Sequence, residues 1–164
     1  MKEIRLTHTD GAGQAHMVNV SSKPDTRREA TASGSIRMTQ SAFEAIRDNA
    51  IAKGDVLGVA RIAGMMAAKR TSELIPLCHP IALSLVDIAL TLDESLPGVR
   101  GVATAVATGA TGVEMEAIIA VTIGLTTIYD MAKSADRSMI IGDVRLLRKS
   151  GGKSGDYVAE STDS

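Results

Sequence analysis

The 164 residues include no Trp, one Phe and two Tyr, and each shortage removes a class of function. A platform for single-stranded nucleic acid needs several aromatic faces, and Phe43, Tyr129 and Tyr157 are too few to build one. The single cysteine, Cys78, excludes an internal disulfide and fits a reducing compartment. Neither sign of charge is in excess. Eighteen Lys and Arg against 19 Asp and Glu leave a formal net charge of -1, without the basic bias of a non-specific nucleic-acid binder, so any anion site must be local. The longest uncharged apolar run, Ala117 to Tyr129, falls short of the ~20 residues a membrane-spanning helix needs. Met1 to Asp10 contain no apolar stretch of signal-peptide length, so export is not expected. These absences predict a soluble cytoplasmic protein with neither a nucleic-acid nor a membrane partner.

Hydrophobic residues make up 45% of the chain, enough to bury a core in one domain spanning 1–164. The compact part is expected over about 12–150, with mobile ends at 1–11 and 157–164 and a Gly-rich flap at 149–156. His16 to Val20 has strand character, and Ala30 to Met38 alternates small and apolar residues with polar ones. Ser41 and Glu44 have capping-box spacing for a helix with Phe43, Ile46 and Ala50 on one face, which Gly54 can end. Asp55 can cap a second helix to about Arg70, with Val56, Val59, Ala60, Ala63 and Ala67 as its stripe. Two prolines make Ile75 to Pro80 a stiff loop. Strands follow through Val86 to Leu92 and Val102 to Val106, separated by a Pro97-Gly98 turn. Gly109 and Gly112 then precede a long helix from about Val113 to Ser134, and Met139 to Leu147 forms a last strand. From Ala30 onward the order is strand, helices, strand, strand, helix, strand. That is an α+β, ferredoxin-like split βαβ subunit with an antiparallel sheet and helices on one face. The other sheet face needs cover, which predicts oligomerisation.

The long helix carries its ionisable groups only near its ends: Glu114 and Glu116 at one, Asp130 and Lys133 at the other. Asp130 and Lys133 share a face. Glu116 and Asp130, fourteen positions apart, are separated by roughly 21 Å at the helical rise, so one helix cannot bring both into one pocket. Two copies packed antiparallel about a two-fold axis could. Taken alone, the same charges also suit the helix dipole. Lys149 to Gly155 offers two cations and flexible backbone N–H groups of the kind that hold phosphate. It is not a P-loop, because Leu147 stands where the first glycine should be and no helix follows; a solvated linker fits it equally well. Cys78-His79 lacks the spacing of a metal pair, and His79 better suits hydrogen bonding or acid–base work. His16 reads as structural, and Lys53 by itself as a charge at a helix C-terminus.

Taken together, these segments resemble the cyclic pyranopterin monophosphate synthase family of molybdenum cofactor biosynthesis, also called MoaC. The stretches that carry the resemblance include Leu74 to Pro80, Thr111 to Ala117, Thr127 to Met131 with Lys133, and Val144 to Asp156. With Ala15 to Val18, Arg28 to Ala30, Lys53 to Val56 and Ala60 to Thr71, they run from about residue 8 to 157. The resemblance implies conversion of 3',8-cyclo-7,8-dihydro-GTP to cyclic pyranopterin monophosphate and pyrophosphate, a phosphorus–oxygen lyase reaction. It implies a homohexamer built as a trimer of dimers, with sites at the dimer interface. It places Asp130, Lys133 and Lys53 in catalytic positions. Leu77, Cys78, His79, Met115 and Glu116 fall on substrate-binding segments, and Glu114, Arg28, Lys69, Lys149 and Lys153 complete the pocket. From the residue spacing no metal ligand is expected, no cofactor is certain, and assistance by Mg²⁺ stays open. Three positions depart from the family pattern: Ala110 where Lys is common, Asn19 for Asp, and Ala132 for Cys.

Two readings of other classes compete. One is a regulatory ferredoxin-like module that binds a nucleotide without converting it. The other is a metal-dependent nucleotide hydrolase using Glu114, Glu116 and Asp130.

Overall fold

Small residues on the two central strands set the depth of this fold. A computed structural model describes residue 14, residues 16–153 and residues 155–160. The elements run β1 (Thr26–Arg37), α1 (Gln40–Arg47), α2 (Val56–Ala68), α3 (Thr71–Leu74), β2 (Leu83–Asp93), β3 (Gly98–Gly109), α4 (Glu114–Ala132), β4 (Ile140–Ser150) and β5 (Tyr157–Val158). The sheet has the order β2-β3-β1-β4-β5, and every neighbouring pair is antiparallel. The first four strands thus carry the ferredoxin-like topology that the element order predicts.

On β1 and β3 the residues facing the helices are Ala30, Ala32, Gly34 and Ile36, paired with Ala105, Ala103, Gly101 and Val99. All six non-glycine members of that set are fully buried. A Cβ added to Gly34 would stand 2.9 Å from Leu125 Cδ1, and one on Gly101 would stand 2.9 Å from Val121 Cγ2. This floor lets α4 lie close to the sheet. α4 covers β1, β3 and β4, while α2 lies beside it over β2. Length and composition would let α4 cross a membrane. Here Ala117, Ala120, Val121, Leu125 and Ile128 are fully buried in the core of the domain.

The two long helices run antiparallel and meet at glycines. Gly64 faces the carbonyl of Ala120, and Gly124 faces that of Ala60. This crossing corrects the stripe expected on α2: Val59 is 45% exposed, whereas Gly64 is buried. Asp55 does cap α2, its Oδ1 accepting the Gly58 N–H at 2.9 Å.

Several local expectations fail for reasons visible in the structure. The capping box at Ser41 does not form. α1 starts two residues earlier, with Thr39 as its cap residue, and the Thr39 N–H is taken by Asp136 Oδ2 at 2.8 Å, from the α4–β4 connection. α1 also stops at Arg47, with Asn49 in the left-handed region (φ 53), so Gly54 and Ala50 lie beyond it. His16 to Val20 forms no regular structure, and His16 is exposed. Tyr157 and Val158, expected in a loose tail, pair with Lys149 and Arg148 as β5. The ends expected at 1–11, like Ala15, Ser154 and residues 161–164, lie outside the described residues.

The sheet face away from the helices is polar at its centre. Thr31 Oγ1 meets Thr104 Oγ1 at 2.9 Å, Arg148 Nε donates to Thr31 Oγ1 at 3.2 Å, and Ser35 Oγ donates to Asp143 Oδ2 at 2.8 Å. Toward β2 it becomes apolar, with Leu85 51% and Val102 39% exposed.

The glycine crossing yields a paired prediction. A Cβ on Gly64 would lie 2.5 Å from the Ala120 carbonyl oxygen, and neither backbone can yield cheaply. Gly64→Ala should therefore cost about 1–2 kcal/mol despite the better helix propensity of alanine. Gly124→Ala meets only a 3.5 Å contact and should be neutral or stabilise by up to about 1 kcal/mol. Urea unfolding midpoints at unchanged m-value distinguish the two; equal shifts would remove the close crossing as a constraint.

Candidate active site

Two cavities share one wall at the start of α4. The first, about 380 Å³, is lined by Lys23, Arg28, Glu29, Glu114, Lys149 and Lys153, among others. The second, about 400 Å³, is lined by Leu77, Cys78, His79, Met115 and Glu116. Lys23, Thr111, Gly112 and Glu114 belong to both, so the cavities form one cleft.

Glycines shape the first cavity. Arg28 is 8% exposed, and its Nε donates to the Gly109 carbonyl at 3.0 Å. Gly151 and Gly152, at φ 91 and 82, wrap the other side, and a Cβ on Gly152 would coincide with the Arg28 guanidinium. Only glycine fits both the conformation and the space. The Gly151 N–H reaches Asp156 Oδ1 at 3.3 Å, and the chain then returns as β5. The Gly-rich segment is therefore the tip of a hairpin extending β4. Gly151 and Gly152 lie against Arg28, and Lys153 lines the cavity. Lys149 Nζ lies 3.0 Å from Glu114 Oε1, with the two side chains 24% and 28% exposed.

The second cavity holds an unusual acid. Glu116 is 3% exposed, and burial, reinforced by the nearby Glu114 charge, pushes its carboxyl up to about 7. A hydrogen bond from its own backbone N–H opposes the shift. Burial, with the Glu116 charge adding to it, also raises the Cys78 thiol, so this unpaired cysteine is not an activated nucleophile.

The remaining expected residues gather at the opposite end of α4. Lys53 Nζ donates to Asp130 Oδ2 at 2.8 Å and to the Asp130 carbonyl at 2.9 Å, while Lys133 Nζ donates to Oδ1 at 2.7 Å. Each carboxylate oxygen thus carries one ammonium. The Lys133 and Lys53 hydrogen bonds hold the Asp130 carboxyl down at about 2. All three side chains are about half exposed, so the cluster opens to solvent.

The chain therefore brings together Arg28, Leu77, Cys78, His79, Glu114, Met115, Glu116, Lys149 and Lys153. It keeps Lys53, Asp130 and Lys133 away from them at the far end of α4, where the helical rise puts Asp130 about 21 Å from Glu116. Lys69 is exposed at the α2 C-terminus and lines neither cavity, although the antiparallel crossing puts it at the Glu116 end. Lys23 was missed. It sits in an exposed turn, its N–H bonded to the Val20 carbonyl, and no periodicity marks it. Among the described residues, no three His, Cys, Asp or Glu are placed to hold a metal ion. The hydrolase reading needs Asp130 beside Glu114 and Glu116, and one chain does not provide that.

Topology and cleft together define a ferredoxin-like α+β protein with a cleft rich in cationic side chains. Comparison with known families narrows this further: the chain belongs to the MoaC family, which it matches over residues 17–152. It is accordingly an enzyme of molybdenum cofactor biosynthesis. Of the expected site residues, only Lys153 lies outside the matched span, by one position.

Glu116 gives this site a pH signature. Its native value lies above the ordinary 4.5, so the folded state binds the proton more tightly than the unfolded chain. Below pH 4.5 both states are protonated and burial costs nothing extra. Between 4.5 and about 7 the unfolded chain gives up this proton while the native state keeps it, which lowers stability by at most about 3 kcal/mol once complete. Glu116→Gln should therefore gain stability relative to wild type as pH rises from 5 to 8. A difference that stays constant across this range, measured by urea unfolding, would contradict the assignment.

Proposed function

We propose that this protein is a cyclic pyranopterin monophosphate synthase. It would convert 3',8-cyclo-7,8-dihydro-GTP into cyclic pyranopterin monophosphate with loss of pyrophosphate, as a phosphorus–oxygen lyase in the cytoplasm. One observation carries the reading: a rigid helix has a cation-lined double cleft at one end and a carboxylate held between two ammonium groups at the other.

Each half suits one part of the chemistry. Closing a cyclic phosphate expels pyrophosphate, and Arg28, Lys23, Lys149 and Lys153 supply charge for the triphosphate and its leaving group. Reclosing a purine-derived ring as a pterin needs proton transfers at carbon and nitrogen, and Asp130 with Lys133 and Lys53 offers donors and an acceptor in one cluster. In the second cavity, Glu116 and His79 stand where a ring would lie. Antiparallel pairing of two copies would set the Asp130 end of one α4 against the cleft of the other, completing each site across a dimer. We extend this to a homohexamer of three such dimers, which would also cover the apolar part of the open sheet face.

The direct test is incubation of the pure protein with the cyclised GTP derivative. Pyrophosphate and the pyranopterin are expected together; binding without turnover would favour the regulatory-module reading. Lys133→Ala should slow single-turnover conversion roughly 10²- to 10⁴-fold, the usual range for losing an acid–base group. Its melting temperature should barely move, because the side chain is half exposed and opens no cavity. Near-wild-type conversion would remove Lys133 from the chemistry. Light scattering should find the active species oligomeric, and a fully active monomer would overturn the shared site.

A further inference from the structure

Glu114 occupies a position that the reaction alone does not require. It is the first residue of α4, it lines both cavities, and its carboxylate turns into the first to meet Lys149 at 3.0 Å. That orientation is built in. A Cβ on Gly112 would stand 2.0 Å from Glu114 Oε2, so the loop before α4 carries glycine where any other residue would push the carboxylate away. The pair is about three-quarters buried, which weakens screening by solvent. A carboxylate resting on a lysine in a cation-lined cavity mimics the anion that the cavity takes.

Resting on the reading of the cleft as a site for a phosphorylated ring, we propose that Glu114 is an exchangeable counterion coupling the two cavities. In the free protein it neutralises Lys149. A phosphate arriving in the first cavity replaces it there, and the released carboxylate accepts hydrogen bonds from an N–H edge of the ring in the second. Each ligand half thereby opens the way for the other, and by linkage the effect is reciprocal. A polyphosphate without a ring leaves the displaced carboxylate unpartnered. A ring without phosphate must draw Glu114 from Lys149 at the cost of that ion pair. The device favours a ligand carrying both parts, and it helps restore the Glu114–Lys149 pair after pyrophosphate leaves.

Calorimetric titration with inorganic pyrophosphate tests this, using wild type, Glu114→Gln, Lys149→Ala and the double variant, each with and without a saturating phosphate-free pterin. Glu114→Gln should bind pyrophosphate alone roughly three- to ten-fold more tightly than wild type. The gain should vanish in the Lys149→Ala background, whereas a general effect of removing one negative charge would survive there. The pterin should tighten pyrophosphate binding to wild type and leave Glu114→Gln unchanged. Glu114→Asp, whose shorter carboxylate falls away from Lys149, should shift toward the Gln variant and guards against a folding defect in the latter. Equal or weaker pyrophosphate binding by Glu114→Gln, or a gain that persists without Lys149, overturns the exchange. If Lys149→Ala weakens pyrophosphate binding while Glu114→Gln brings no gain, the exchange fails and the phosphate pocket stands. If Lys149→Ala binds pyrophosphate as wild type does, both fail.

Discussion

A helix with no charge between Glu116 and Asp130 constrains everything else in this protein. Its thirteen intervening residues are uncharged, so it can be buried against the sheet and α2 without stranding an ion in the core. All of its chemistry is pushed to its ends. Rigidity then turns sequence separation into distance, and the two ends stay about 21 Å apart whatever the loops do. Two groups of polar side chains on one such helix are too far apart for a single pocket, and the proposed function joins them through a second copy.

Packing and chemistry are linked through small residues. Alanines and glycines on β1 and β3 let α4 sit low on the sheet, and Gly64 lets α2 close against it. That antiparallel crossing carries Lys53, just ahead of α2, to Asp130. At the other end, Gly112, Gly151 and Gly152 clear the space in which Glu114 and Arg28 take up their positions. The glycines thus determine where charges stand as much as the charged residues do.

Much of this was legible in the sequence, for physical reasons. Alternation through β1 and β2 and the uncharged run of α4 are local signals, and they produced the correct element order. The separation of Glu116 from Asp130 needed only the helical rise. What escaped notice was non-local. The cap on α1 comes from Asp136, 97 positions away from Thr39, so a local Ser/Glu spacing misled. The buried face of α2 was misread at Val59 because a glycine, invisible to hydrophobic periodicity, makes the closest contact. Lys23 enters the cleft from an irregular turn, and β5 depends on pairing with β4, so neither leaves a pattern in its own neighbours.

The central claim is that each working site draws its cleft from one copy and its Asp130 cluster from another, and subunit complementation tests it most directly. Lys133→Ala and Lys149→Ala each disable a different half, so neither variant alone should turn over at an appreciable rate. Co-expressed and randomly paired, they should form mixed dimers in which one of the two sites is intact, restoring about a quarter of wild-type activity. Activity no higher than the sum of the separate variants, with mixed oligomers verified, would contradict a site shared between subunits.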